Sequence, residues 1–169
     1  MAVVRDIFSF PSTVNEKAAR VVAGCVMAIA LLALATGWTW LLAVLCAGFV
    51  LRVVAGPSLS PLAQFATKVA APRLGPPKEV SGPPKRFAQA MGAVMTGAGA
   101  VLALGFGLET AGTVFLVAIV VAAGLEAFLA YCLGCKVFGL LMRAGVVPDD
   151  VCAECADIWS RPGMTRSAA

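Results

Sequence analysis

The chain has 169 residues, 60% of them hydrophobic and only 13% charged, with a net charge of +4. Soluble domains carry about 45–50% apolar and about 25% charged residues, so this composition excludes an ordinary soluble enzyme. The sequence contains no His, which removes the commonest general base and metal ligand, and no basic tract dense enough to bind nucleic acid.

The mean hydropathy of +0.92 is concentrated in long runs, the signature of membrane spans. Before the first run stand Phe8, Phe10 and Pro11; the two Phe side chains are expected to anchor in the membrane interface. Thr13-x-x-Glu16 has the spacing of a capping box, in which hydroxyl and carboxylate satisfy free N–H groups at a helix start, so the first helix is predicted to begin near Val14. No small-residue cleavage site follows a short apolar stretch, and the first run reads as retained rather than as a signal peptide.

No charged residue lies between Arg20 and Arg52, a stretch too long for one span of about 20 residues. A hairpin is predicted, with spans over 17–35 and 38–55. Its turn falls at Thr36-Gly37, with Trp38 and Trp40 in the aromatic belt. In the following loop, Ser60-Pro61 is an N-cap and first-turn pair. Leu62, Phe65, Ala66 and Val69 then recur at helical spacing opposite Gln64, Thr67 and Lys68, predicting a short amphipathic helix on the lipid surface. Gly-Pro-Pro-Lys occurs at 75–78 and again at 82–85, which predicts extended polyproline geometry. A third span is expected over 87–108 and a fourth over 113–136, with Glu109 in the turn. Gly92, Thr96 and Ala100, and Ala93 and Gly97, form small-residue stripes suited to close helix contact.

Neither hairpin turn contains Lys or Arg; all thirteen basic residues fall on the other side. By the positive-inside rule both termini and the long loop are cytoplasmic. The predicted fold is therefore all-α: an integral membrane four-helix bundle of two hairpins, with a short interfacial helix in the cytoplasmic loop. Residues 1–140 form the transmembrane domain and 141–169 a cytoplasmic tail. Gly24-Cys25-Val26-Met27 matches Gly92-Ala93-Val94-Met95, which suggests either a parallel repeat or chance recurrence of small apolar tetrads.

Chemistry is expected at the cysteines. Cys132-x-x-Cys135 and Cys152-x-x-Cys155 are separated by sixteen residues, a spacing that fits a four-thiolate zinc site or its iron counterpart. Val147-Pro148-Asp149-Asp150 reads as a turn and helix cap just before the second pair. Facing a reducing compartment, such pairs serve metal binding or redox exchange better than a permanent disulfide. Three readings stand: a metal on Cys132, Cys135, Cys152 and Cys155; a dithiol exchanging with a thioredoxin-like partner; or four ordinary thiols. Cys25 and Cys46, in mid-helix, are expected to pack. Glu126 is the acid inside a span, and hence a functional candidate; an Arg52–Glu126 ion pair is its structural reading. Glu126 and Cys132 would point to different faces of an ideal helix. A small-solute permease with a path lined by Arg52, Glu126 and the Phe10-Pro11-x-x-Val14-Asn15-Glu16 segment, and a subunit of a larger complex or oligomer, are the competing classes.

The combination Phe8-x-Phe10-Pro11-x-x-Val14-Asn15-Glu16-x-x-x-Arg20, Arg52-x-x-x-Gly56-Pro57-x-x-Ser60-Pro61, Pro84-Lys85-Arg86-Phe87-Ala88 and Cys132-x-Gly134-Cys135 resembles one bacterial family of multi-pass membrane proteins, catalogued as domain of unknown function 4395. The likeness covers roughly residues 5–140, and the tail bearing Cys152 and Cys155 looks like an extension found in actinobacterial members. The resemblance implies a membrane location beside membrane lipid. It also implies an association with thioredoxin-like or sulfurtransferase proteins, and so thiol or sulfur chemistry.

Overall fold

The computed structural model describes residues 13–56 and 60–147. The expectations for Phe8, Phe10, Pro11, Pro57, Cys152 and Cys155, and for the turn at Pro148, lie outside these residues. The described chain is mostly helical.

Helix α1, Glu16–Thr36, is capped by Asn15, whose side-chain oxygen accepts the Lys17 N–H at 3.0 Å. The expected Thr13–Glu16 capping box does not form. Thr13–Asn15 is instead an extended strand, β1, paired antiparallel with β2, Glu79–Ser81. The Glu16 N–H donates to the Lys78 carbonyl at 2.8 Å, and its carboxylate pairs with the Lys78 ammonium at 2.7 Å. The long loop therefore supplies the partners that the box would have supplied locally. The helix ends where Gly37 takes a left-handed φ of 73°, the usual glycine stop.

Helix α2, Leu41–Ala55, ends at Gly56 with a φ of 59°, its N–H bonded to the Arg52 carbonyl. At 15 residues it is roughly 22 Å long at about 1.5 Å per residue, short of the roughly 30 Å hydrocarbon thickness. Ser60 then caps Pro61 as expected, accepting the Ala63 N–H at 3.4 Å. The following helical segment runs through α3 (Pro61–Phe65), a π-turn at Ala66–Ala70, and α4 (Ala71–Arg73). Its buried residues are Ala63, Ala66 and Ala71, while Phe65 and Val69 are exposed. Alanine-sized side chains let the segment lie close against α1, while Phe65 and Val69 of the expected apolar face stay on the outside.

Gly82-Pro83-Pro84-Lys85 opens helix α5, Gly82–Ala100, rather than extending as polyproline. Proline lacks the N–H that a first helical turn leaves unpaired, and its fixed φ suits that turn. The helix runs on through a π-turn at Val101–Gly105. Helix α6 is Glu109–Leu129, and it stops seven residues before the expected end of the fourth span. Ala130 adopts a φ of 53°, and a separate helix, α7 (Leu133–Arg143), follows.

Helix α1 packs along α6, α2 along α5, and α5 against both α6 and α7. The core between them holds Val22, Val26, Leu42, Leu45, Phe49, Leu116 and Ile119. The small-residue stripe of α5 performs the close packing predicted for it. Thr96 is fully buried, Gly92 lies under the Phe49 ring, and the Cys46 thiol donates to the Ala93 carbonyl at 3.5 Å.

Three helical stretches, Glu16–Thr36, Gly82–Gly105 and Glu109–Leu129, are long and apolar enough to cross a membrane; α2 is a shorter apolar helix. Val94, Val114, Val121, Phe128 and Leu129 point outward and are exposed. Such broad apolar exposure is unfavourable in water and marks membrane association.

Helix α7 meets the backbone of α5 at Gly134, where an added Cβ would lie 2.5 Å from both Cα and Cβ of Ala88, whereas one at Gly139 would meet nothing within 4 Å. Gly134→Ala is expected to destabilise the protein by about 1–3 kcal/mol, the usual cost of overpacking. Gly139→Ala should be neutral or stabilising by up to about 1 kcal/mol. Denaturation of the two variants in mixed micelles checks this; equal stabilities would mean that α7 is not docked on α5.

Candidate dithiol site and its cavity

The site is created by the way α6 ends. The N–H groups of Ala130 and Tyr131 turn back onto the carbonyls of Glu126 and Leu125, each at 3.1 Å. The next two carbonyls, of Ala127 and Phe128, accept from the Arg20 guanidinium of α1 at 3.0 and 3.1 Å. A cation at a helix C-terminus satisfies open acceptors and complements the helix dipole. The chain then reverses through the left-handed Ala130, an uncommon conformation for a residue with a Cβ, and α7 starts at Leu133.

Cys132 is the N-cap of α7. Its sulfur accepts the Cys135 N–H at 3.3 Å. The two cysteines are joined as a disulfide, with Cα atoms 5.2 Å apart, inside the range that disulfides span. One helical turn is thus what brings the sulfurs together, as the Cys-x-x-Cys spacing predicts. The two positions are not equivalent: Cys132 is buried and Cys135 is half-buried. Gly134 between them meets Ala88, and Phe138 stacks on Phe87 with ring centroids 5.6 Å apart. Among the described residues no group of three or more Cys, Asp and Glu side chains is placed to hold a metal ion; the second cysteine pair lies outside them.

Beside Cys132 lies a cavity of about 420 Å³, bounded by α1, α2, α5, α6 and the start of α7. Among the residues lining it only Gln89 and Glu126 carry side-chain oxygen or nitrogen atoms. Glu126 is paired with Lys85, and both side chains are largely buried. Arg52 donates through Nε to the Gln89 side-chain oxygen at 2.7 Å and lies over the Phe49 ring, 4.7 Å from its centroid. The expected Arg52–Glu126 ion pair is therefore not made. The reason lies in hairpin register: α5 runs antiparallel to α6, and Lys85 and Glu126 stand nearly equidistant from the turn between them, whereas Arg52 belongs to α2 and meets α5 first. That register was the signal available in the sequence for Lys85; Gln89 carried none. The structure also brings together two residues that an unbroken helix would separate. Because α6 stops at Leu129, Cys132 returns to the cavity that Glu126 lines.

The remaining motif residues among those described sit at one end of the molecule and act on helix ends or on the strand pair. Asn15 caps α1, Glu16 pairs with Lys78, and Arg20 closes α6. Gly56 ends α2, Ser60 caps Pro61, and Arg86 donates to the Val53 carbonyl at 3.0 Å.

A family model described as Domain of unknown function (DUF4395) matches residues 14–143. The chain belongs to this family, as the motif resemblance implies. No curated protein and no solved structure matches the chain.

A largely buried ion pair whose partner is removed leaves an uncompensated charge. Lys85→Met is expected to cost about 3 kcal/mol, and Lys85→Met combined with Glu126→Leu to recover most of that loss. Unfolding of the single and double variants in micelles measures it. A double variant as unstable as Lys85→Met alone would show that Glu126 draws its stability from another group.

Proposed function

We propose that the chain is an integral membrane dithiol–disulfide protein whose working pair is Cys132 and Cys135, exchanging with a soluble thioredoxin-like partner. The observation that carries this reading is the Cys132–Cys135 disulfide itself, at the start of α7, with one sulfur buried and the other half-buried. Disulfides facing a reducing compartment are usually transient and catalytic. The half-buried Cys135 is the sulfur open to attack by a partner's thiolate. Breaking the bond releases a thiolate on Cys132, and the partner's second thiol resolves the mixed disulfide. The outcome is a partner disulfide and a reduced pair.

The membrane arrangement belongs to the same proposal. The three long helices and α2 cross the bacterial cytoplasmic membrane as a four-helix bundle, α2 completing its span with the Trp38–Trp40 turn. Both termini are cytoplasmic. Support comes from the contacts of Lys17, Arg20, Lys78 and Arg86, all made at one end of the molecule, while Trp38 and Trp40 stand exposed at the α1–α2 turn. On this reading Cys132 and Cys135 stand on the cytoplasmic side.

A second arrangement, zinc or iron on Cys132, Cys135, Cys152 and Cys155, is favoured by the sixteen-residue spacing between the pairs. It requires Cys132 and Cys135 as thiolates, the state that their disulfide removes. The two readings separate cleanly. The oxidised full-length protein is expected to oxidise about one equivalent of reduced thioredoxin, and Cys132→Ser and Cys135→Ser each to abolish this. Thioredoxin lacking its resolving cysteine should be captured on Cys135, located by peptide mass mapping. Inert thiols together with one metal per chain, lost in Cys152→Ser, would replace the dithiol reading with the tetrathiolate.

A further inference from the structure

The disulfide faces two ways. Cys132 lines the 420 Å³ cavity, whereas Cys135 does not and is half-buried on the other side of the turn. A sulfur pair with one member toward a partner and the other toward an internal cavity is arranged to pass electrons between them. We propose that the cavity is a quinone site, at which a membrane quinone takes the electron pair from the reduced Cys132–Cys135 dithiol; this rests on the dithiol reading above.

Three features of the cavity select the ligand class. Its volume lies within the roughly 300–1,000 Å³ of small-molecule sites. Its walls are Ala, Val, Ile, Met and Phe side chains, with no Lys or Arg among the lining residues. Phosphate-bearing cofactors such as flavin or nicotinamide nucleotides carry charge that a lining without Lys or Arg leaves unpaired, so this lining disfavours them. The side wall is open to the ligand's own solvent. Val121 lines the cavity and is exposed, and Met91 and Ala122 are half-buried, which leaves a mouth between α5 and α6. In a membrane that mouth faces acyl chains, and the ligand has to be lipid-soluble. A dithiol gives up two electrons and two protons, and a quinone is the lipid-soluble acceptor that takes both.

Two polar groups remain for the quinone oxygens. Arg52 holds the Gln89 amide oxygen and so fixes the amide plane; an amide N–H is a suitable donor to a quinone carbonyl. Glu126, held by Lys85, lines the cavity wall and offers an acceptor to a hydroquinone O–H. In the reaction the Cys132 thiolate adds to the quinone ring and the Cys135 thiolate attacks the Cys132 sulfur, expelling the hydroquinone. One S–S bond forms, two S–H bonds are lost, two O–H bonds are gained, and the quinone is reduced by the two electrons that the sulfurs lose.

The test uses the full chain in lipid nanodiscs, reduced, freed of reductant and mixed with a short-tailed benzoquinone substituted at every ring carbon, so that the Cys132 adduct stays reversible and cannot lose a ring proton to become a permanent thioether. About one hydroquinone per chain is expected, with matching loss of alkylatable Cys132 and Cys135, and none with Cys132→Ser. Ala122→Phe, which fills the cavity, should slow quinone reduction at least ten-fold while the thioredoxin reaction reports that the variant is folded. If Ala122→Phe does not fold, a dimethoxybenzene analogue that cannot be reduced should inhibit the wild-type reaction with quinone and spare that with thioredoxin. Thioredoxin exchange without quinone reduction, or quinone reduction indifferent to both Ala122→Phe and the inert analogue, overturns the quinone site and leaves the dithiol reading standing. Failure of both reactions overturns the two together.

Discussion

The contact between Arg20 and the last carbonyls of α6 is the interaction on which the rest of this structure turns. It ties the first apolar helix to the last one, the most extensive helix pairing in the fold. It also sets where α6 may stop. A helix end in an apolar setting leaves carbonyls that need partners, and a guanidinium reaching two of them at 3.0 and 3.1 Å supplies what water would supply elsewhere. With the end secured, the chain can turn sharply at Ala130 and begin α7 beneath the bundle core. Without it, the apolar run would gain by continuing as helix, and Cys132 and Cys135 would be carried away from the cavity.

The same logic orders the other motif residues. Asn15, Glu16, Gly56, Ser60, Lys78 and Arg86 all act on helix ends or the strand pair at the same end of the molecule as Arg20. A family pattern made of scattered short pieces is thereby one structural object: the set of caps that lets several apolar helices start and stop at a common level. The polar chemistry of the chain is concentrated there because each cap needs a donor or acceptor that is stable near water. The cysteine pair and the Lys85–Glu126 pair lie next to this layer of caps.

What the sequence made legible follows from the range of the forces involved. The first span, expected over 17–35, was placed to within a residue at each end, because a charge-free run that starts at a Lys and stops at a Gly is a strong local signal. Ser60-Pro61 was equally readable, since a cap acts over three residues. Most of the failures were long-range. The capping box at Thr13 lost to a strand pairing with residues far along the chain, which no local pattern announces. The glycine–proline repeat at 82–85 was read for its composition, whereas its position at the head of an apolar run decided the outcome. The end of α6 was missed because Leu129-Ala130-Tyr131 contains neither Gly nor Pro, and its stop signal, Arg20, sits more than a hundred residues away.

The Arg52–Glu126 expectation shows how such an error reaches the functional reading. Pairing the two intramembrane charges by elimination treats the helices as interchangeable; register decides instead, and the antiparallel α5–α6 hairpin hands Glu126 to Lys85. Arg52 is then free to hold Gln89 against the cavity wall. The supposed obstacle to a shared site, that Glu126 and Cys132 face apart on one helix, disappears once the helix is seen to end between them. A carboxylate, an oriented amide and a buried sulfur come to line one apolar space because three separate elements deliver them, and none of that convergence is written in the spacing of the residues along the chain. Lys85 and Gln89, on one face of α5, are the residues that connect the caps to the cavity: one neutralises the acid, and the other carries the hold of Arg52 into the site.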